Sequence, residues 1–235
     1  MEVFVFSGAA SGATRTSSSI LLAAGARVLG FEPLHIQVLT QDRPGALPAI
    51  KGVPFATASI TAERGERITD RIRARARSRS GCSLVIVDMP AQDVLETLLM
   101  LGGMKARILV PMPEWATDPG QAVQDYRRLR DHWESWEELN RQSGRRLDGD
   151  AGRPRAWLLP VGWPAVSPDD DLIVLLRDRG LLPDDAPQYQ VLYPGLPRFE
   201  PRDMDFTDGN DRFALTERQL DASARIARPL CGDLI

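Results

Sequence analysis

Residues Ser7-Gly8-Ala9-Ala10-Ser11-Gly12-Ala13-Thr14 follow the apolar run Val3 to Phe6 and open a stretch of helical composition. A strand that ends in small residues and turns into a helix directs several backbone N–H groups at one point, where the helix dipole also favours an anion. A phosphoryl-transfer site adds a lysine ammonium and a hydroxyl for Mg²⁺. Here Thr14 supplies a hydroxyl, Ala13 stands before it, and the nearby cation is Arg15. Gly8 to Arg15 is thus a candidate phosphate cradle without the lysine. Asp88, at the end of the apolar run Leu84 to Val87, is a candidate Mg²⁺ ligand together with Thr14.

The elements that must position these groups are legible from apolar patterning. Val3 to Phe6, His35 to Leu39, Leu84 to Val87, Arg107 to Val110 and Ala156 to Val161 are short, mostly continuous apolar runs, and Tyr189 to Tyr193 is a sixth. Continuous runs suit strands covered on both faces, as in a parallel sheet with crossover helices. Between them lie helical signals. Ile20, Leu21, Ala24 and Val28 share a face that Gly30 can terminate, and Ile68, Ile72 and Ala76 repeat every four residues. Ala122, Tyr126, Leu129, Trp133 and Trp136 form a long stripe after Pro119. Ser167-Pro168 before Asp169, Asp170 and Asp171 starts a helix that Gly180 closes, and a last helix runs from the Thr216 cap to Pro229. The expected fold is α/β, a mostly parallel central sheet with helices on both faces, in one domain over residues 1–235. The polar, glycine-containing residues 140–155 read as a flexible surface loop, and Pro194 to Asn210 lacks periodicity.

Bulk properties narrow the function. The 235 residues carry a formal charge of −3, so no global field draws in nucleic acid or an anionic membrane. Cys82 and Cys231 fit no metal spacing and, with the lack of a leader-like or membrane-spanning run, suggest a cytoplasmic protein. His35 and His132 are too few for a histidine-rich metal site. The arginine-rich segment Arg64 to Arg79 could touch DNA phosphates, but Glu63, Glu66 and Asp70 offset its charge and a solvated helix face is the favoured reading. The tryptophans near the end of the Ala122 stripe read as core before partner anchor.

In order, these pieces resemble the ParA/MinD family of deviant-Walker P-loop ATPases. The matching loop residues are Gly8, Ala9, Ala10, Ser11, Gly12, Ala13 and Thr14, and Leu84-Val85-Ile86-Val87-Asp88-Met89-Pro90-Ala91 matches the family's Walker B strand best. Val38-Leu39-Thr40-Gln41-Asp42-Arg43-Pro44 is the counterpart of the family's switch-like turn, which makes Thr40 and Asp42 the switch-like residues here. The resemblance implies a P-loop NTPase-like three-layer fold, ATP or ADP with Mg²⁺ as ligands, and protein partners or a homodimer. It also locates departures: Gly8 stands where the family's signature lysine does, Ala13 where its loop lysine does, and Thr40 where its hydrolytic aspartate does. Phosphoryl transfer depends on positioning and electrostatic stabilisation, and a single charged donor commonly contributes about 10³-fold. The expectation is a pseudo-ATPase, with no catalytic residue assigned and a weak or vestigial nucleotide site, serving partition, conjugative transfer or cargo positioning. An arginine lying back over the loop would favour the alternative, an active ATPase with an atypical loop. A further alternative, a short-chain-dehydrogenase-like oxidoreductase with Glu32 on the ribose, lacks the tyrosine-x-x-x-lysine pair, since Tyr126 is followed by Arg130.

Overall fold

The computed structural model describes residues 1–8, 12–40, 52–63, 66–90, 94–101, 106–114, 120–142, 156–163, 174, 176–180, 190–192, 195–197 and 215–231. Within them the chain runs β1 (Glu2–Phe6), α1 (Gly12–Val28), β2 (Pro33–Thr40), β3 (Ala56–Ala62), α2 (Thr69–Arg77) and β4 (Leu84–Asp88). It continues through α3 (Val94–Leu101), β5 (Arg107–Pro113), α4 (Gly120–Gln142), β6 (Ala156–Val161) and α5 (Glu217–Cys231). The six strands pair in parallel in the order β3-β2-β4-β1-β5-β6.

Because alternate side chains of each strand point to opposite faces, the apolar runs feed two cores. Val3, Val5, Ile36, Val85, Val87, Ile108 and Val110 pack on one face with Ile72 of α2, Met100 of α3 and Leu129 of α4. Phe4, Phe6, Leu84, Ile86 and Leu109 pack on the other with Leu21 and Leu22 of α1 and Ile226 and Leu230 of α5. This is the three-layer α/β arrangement expected from the patterning.

Several expectations change in detail. Ala56–Ala62 is a strand that the continuous-run criterion missed, and Val94–Leu101 is a helix that it also missed. Val191 makes a single parallel bridge to Leu158 and Leu196 another to Val161, so the described residues of this stretch border β6 through isolated bridges. Tyr189 and Tyr193 lie outside the described residues. Residues 140–142 belong to α4 instead of to a loop, and 143–155 lie outside the described residues. Arg27 and Val28 at the end of α1 are exposed, whereas Thr14 to Ala26 are buried because the sheet covers one side and α5 the other. The last helix continues past Pro229 to Cys231, with Arg107 donating to the Leu230 carbonyl at 3.0 Å. Most of the residues expected to form the Ser167 to Gly180 helix lie outside the described residues, and Gly180 has φ of 68°, as a helix stop requires.

Candidate functional site

β1 and β4 are neighbours in register, with Phe6 opposite Asp88, so their carboxyl ends open at one place on the sheet edge. Open α/β sheets bind ligands at this edge. Ser7 is tied in by its N–H to the Leu109 carbonyl at 3.1 Å and by its hydroxyl to that of Thr97 in α3 at 2.6 Å. Gly8 has φ of 113°, which favours glycine, and a Cβ there would lie 3.2 Å from Asp125 Oδ2 and from Val110 Cγ1. α1 then starts at Gly12, aiming its N-terminus at the same edge. Ala9, Ala10, Ser11 and Asp42 lie outside the described residues. Gly12 and Ala13 form the first residues of α1, and Thr14 is buried in its first turn.

Arg15 departs most from a solvated helix-side residue. Its side chain is only 2% exposed and reaches back to the loop, with Nη1 donating to the Gly8 carbonyl at 2.7 Å and Nε to the Met89 carbonyl at 3.1 Å. Those carbonyls follow β1 and β4, so the guanidinium bridges the two strand ends. Beside it, the Thr16 hydroxyl donates to Asp88 Oδ2 at 2.6 Å. Thr16 was not among the sequence candidates. Burial is the larger influence on Asp88 and raises its carboxyl to about 6, against the Thr16 hydrogen bond and the Arg15 charge.

Two more groups were missed. Gln37 of β2 stands in register with Asp88, so both side chains project from the same sheet face, towards α1. It is 6% exposed, and among the described residues its Nε2 has no hydrogen-bond partner. Asp125 of α4 is buried, receives the Gln121 amide at 3.1 Å, and lies against Gly8. A run of hydroxyl residues within a stretch of helical composition, Thr14 and Thr16 to Ser19, was the available signal for Thr16. Nothing local pointed to Gln37 or Asp125.

Deeper along α1, the Ser19 hydroxyl meets His35 Nε2 at 2.8 Å. Burial lowers His35 to about 4, keeping the ring neutral. Thr40 ends β2 at the carboxyl edge, three residues beyond the position level with Asp88. Glu32 precedes β2, at the opposite edge, and pairs with Arg27, so it cannot contact a ribose at the site. The order β3-β2-β4-β1 also departs from the dinucleotide-binding order 3-2-1-4-5-6. The Arg67 to Arg79 side chains are exposed on and around α2, with Arg71 3.4 Å from Glu66 and Arg73 3.5 Å from Asp70.

The donor set suits a phosphate better than a divalent cation. A helix N-terminus and a buried guanidinium lie together there, while the nearby carboxylate already accepts a hydrogen bond from the Thr16 hydroxyl and neighbours a positive charge. Among the described residues no group of three or more His, Cys, Asp or Glu gathers.

Searches against family models and curated protein sequences found no match. Solved structures do match along the whole chain. The chain is similar to MinD in the MinC:MinD cell division protein complex of Aquifex aeolicus, with a TM-score of 0.59, 16% identity, and coverage of 99% of this chain and 96% of that one. Cobyrinic acid a,c-diamide synthase of Mycobacterium smegmatis, with bound ATP analog and magnesium, gives 0.53 at 15% identity, covering 98% and 94%. A putative plasmid partition protein of Borrelia burgdorferi bound to AMPPNP gives 0.50 at 12%, covering 99% and 98%. At these identities the likeness shows a shared P-loop NTPase-like fold.

Proposed function

We propose that this chain is a ParA/MinD-like protein whose nucleotide site turns ATP over very slowly or not at all, and which acts through protein contacts in plasmid or chromosome partition, conjugative transfer or cargo positioning. The observation that carries this reading is the state of Arg15. The arginine beside the loop is buried and anchored to two backbone carbonyls, so it is a fixed part of the strand ends and not a mobile donor that can follow a transferring phosphoryl group. The end of β2 offers Thr40 in place of a water-orienting carboxylate. The fold shared with MinD and with a partition protein supports the process, and the MinC:MinD complex supports a protein partner. ATP or ADP is the candidate ligand and a homodimer the candidate assembly, in the cytoplasm. Among the described residues no helix is long and apolar enough to cross a membrane. The exposed, partly paired arginines of α2 favour a solvated face over a DNA contact.

The same arginine supports a second reading, an active ATPase with an atypical loop, because its guanidinium does lie back against Gly8. Phosphate release from ATP and Mg²⁺ decides between them. The expected outcome is release indistinguishable from a protein-free blank, together with an unchanged size-exclusion profile when ATP and Mg²⁺ are added. Brisk metal-dependent release would establish the second reading, and strong ATP-dependent dimerisation would contradict the first.

A further inference from the structure

We infer that the open edge of β3, with the arginines of α2 beside it, is a docking site for an acidic, extended segment of a protein partner, which adds to the sheet as a further strand. This rests on the reading that the chain acts through protein contacts, and it names the chemistry of the contact.

The two edges of the sheet differ. Along β6, Leu158 donates its N–H to the Gln190 carbonyl at 2.9 Å and accepts from the Leu192 N–H at 2.9 Å, and the Pro160 carbonyl accepts from Leu196 at 2.8 Å, so that edge is covered. β3 pairs with β2 alone, and among the described residues no backbone bond reaches Ala56–Ala62 from its other side. The Thr61 carbonyl points outwards, because it accepts from Arg71 Nη1 at 2.6 Å. Backbone groups alternate sides along a strand, so the N–H and C=O of Ser59 and Thr57 open on the same edge. Edge strands that resist pairing carry lysine, proline or inward-pointing charge. The sequence ATASITA has none of these.

The charge beside this edge selects the occupant. Between the parallel strands β3 and β4, α2 runs back along the sheet with Ile72 and Ala76 buried and Arg71, Arg73, Arg75 and Arg77 exposed. The Arg71 bond to Thr61 sets that flank of α2 against the edge, and Arg75, one turn on, shares the flank. Exposed Arg67 and Arg79 continue the four-residue spacing just before and just after the helix. Arg71 and Arg73 lie 3.4 and 3.5 Å from Glu66 and Asp70, whereas Arg67, Arg75, Arg77 and Arg79 have no acidic partner among the described residues.

A nucleic acid would meet these guanidiniums with phosphates, but it has no main-chain amides for the open row of β3, and the chain's net charge of −3 opposes it. An extended peptide satisfies both. Its backbone pairs with Ser59 and Thr57, and alternate side chains fall on the α2 side, where Ile60 and Ala62 join the core that holds Ile72. Carboxylates at those positions reach the arginines in charge-assisted hydrogen bonds.

The test is fluorescence anisotropy of the full chain with a labelled peptide of alternating threonine and glutamate, about as long as β3. It should bind with a Kd below about 1 mM and weaken about 10-fold or more as salt rises from about 0.05 to about 0.5 M. Ser59→Pro removes the outward N–H at the middle of the edge and spares the β2 ladder, since an edge strand tolerates proline on its open side. With wild-type circular dichroism it should bind at least about 10-fold more weakly. Arg75→Glu leaves the strand untouched and should also lose about 10-fold or more. Absence of binding, equal binding of a threonine–lysine peptide, or unchanged affinity in either folded variant overturns the inference. Tighter binding of duplex DNA that survives Ser59→Pro and is lost in Arg75→Glu also overturns it, by assigning the arginines to phosphates. Phosphate release from ATP is measured on the same samples. Failure of the peptide arms without release defeats this inference and leaves the proposed function intact, whereas brisk release defeats the proposed function whatever the peptide does.

Discussion

Burial pushes the Asp88 carboxyl up to about 6, and the Thr16 hydroxyl and the Arg15 charge pull it back towards the ionised form. The acid is therefore held by two neighbouring residues of α1, and each should be separately measurable. Thr16→Val keeps the side-chain shape and removes only the donor at 2.6 Å. Hydrogen bonds to charged groups contribute about 1.5–3 kcal/mol, so the variant should lose roughly that much stability at neutral pH. The Asp88 carboxyl should also titrate above about 6, because only its neutral form loses nothing when the donor goes. Urea unfolding at pH 7 and a carboxyl-resolved NMR titration check the two parts. A titration point that stays where it was, or falls, would show that Thr16 does not govern the acid. At this scale the sequence put Asp88 at the carboxyl end of a strand, because it sits where an apolar run stops. Thr16, Gln37 and Asp125 were hidden because their meeting depends on strand register and on the approach of α4, neither of which has a local signal.

Among the elements, α1 and α5 pack backbone against backbone where Gly25 meets Ser223. A Cβ on Gly25 would stand 2.2 Å from the Ser223 carbonyl oxygen and 2.7 Å from the Ala224 nitrogen, both backbone atoms that cannot rotate away. Gly25→Ala gains up to about 1 kcal/mol in helix propensity. The clash outweighs it, because moving α5 outward loosens Ile226, Ala227 and Leu230 in the core they share with α1. Overpacking of this kind costs about 1–3 kcal/mol and occasionally more, so thermal unfolding should move down by roughly 2–10 °C. A rise in Tm would show that the helices separate freely. The α5 start was legible in detail, because Thr216 and Gln219 form a reciprocal cap at 3.3 and 2.8 Å, the pattern expected of Thr followed three residues later by Gln. The missed elements have physical reasons. β3 is an edge strand paired with β2 alone, so its sequence ATASITA needs few large apolar residues. α3 has the sequence VLETLLML, too short and too uniformly apolar to separate helix from strand by periodicity.

For the molecule as a whole, His35 and Asp88 are buried ionisable groups on the α1 side of the sheet, and they make opposite demands on pH. His35 falls from 6.5 to about 4 on folding, so below pH 6.5 the unfolded chain takes up a proton that the native state refuses. Its contribution is complete above pH 6.5 and drains away as the pH falls towards 4, on the order of 3 kcal/mol in all. Asp88 rises from 3.8 to about 6, so in the interval between them it is the native state that holds the extra proton. Its contribution is complete below pH 3.8 and is lost as the pH rises through 6, again on the order of 3 kcal/mol. Between pH 4 and 6 the two slopes oppose each other, and the wild-type stability should be nearly flat as far as this pair decides it. Asp88→Asn removes one slope while retaining an oxygen that can accept from Thr16. The variant should be more stable than wild type near pH 7, where the ionised acid is most costly, and should then lose stability steadily from pH 6.5 to 4 as His35 acts alone. Chemical denaturation at half-unit pH steps measures both curves, and parallel curves across the window would mean that Asp88 is not held in its neutral form by the fold.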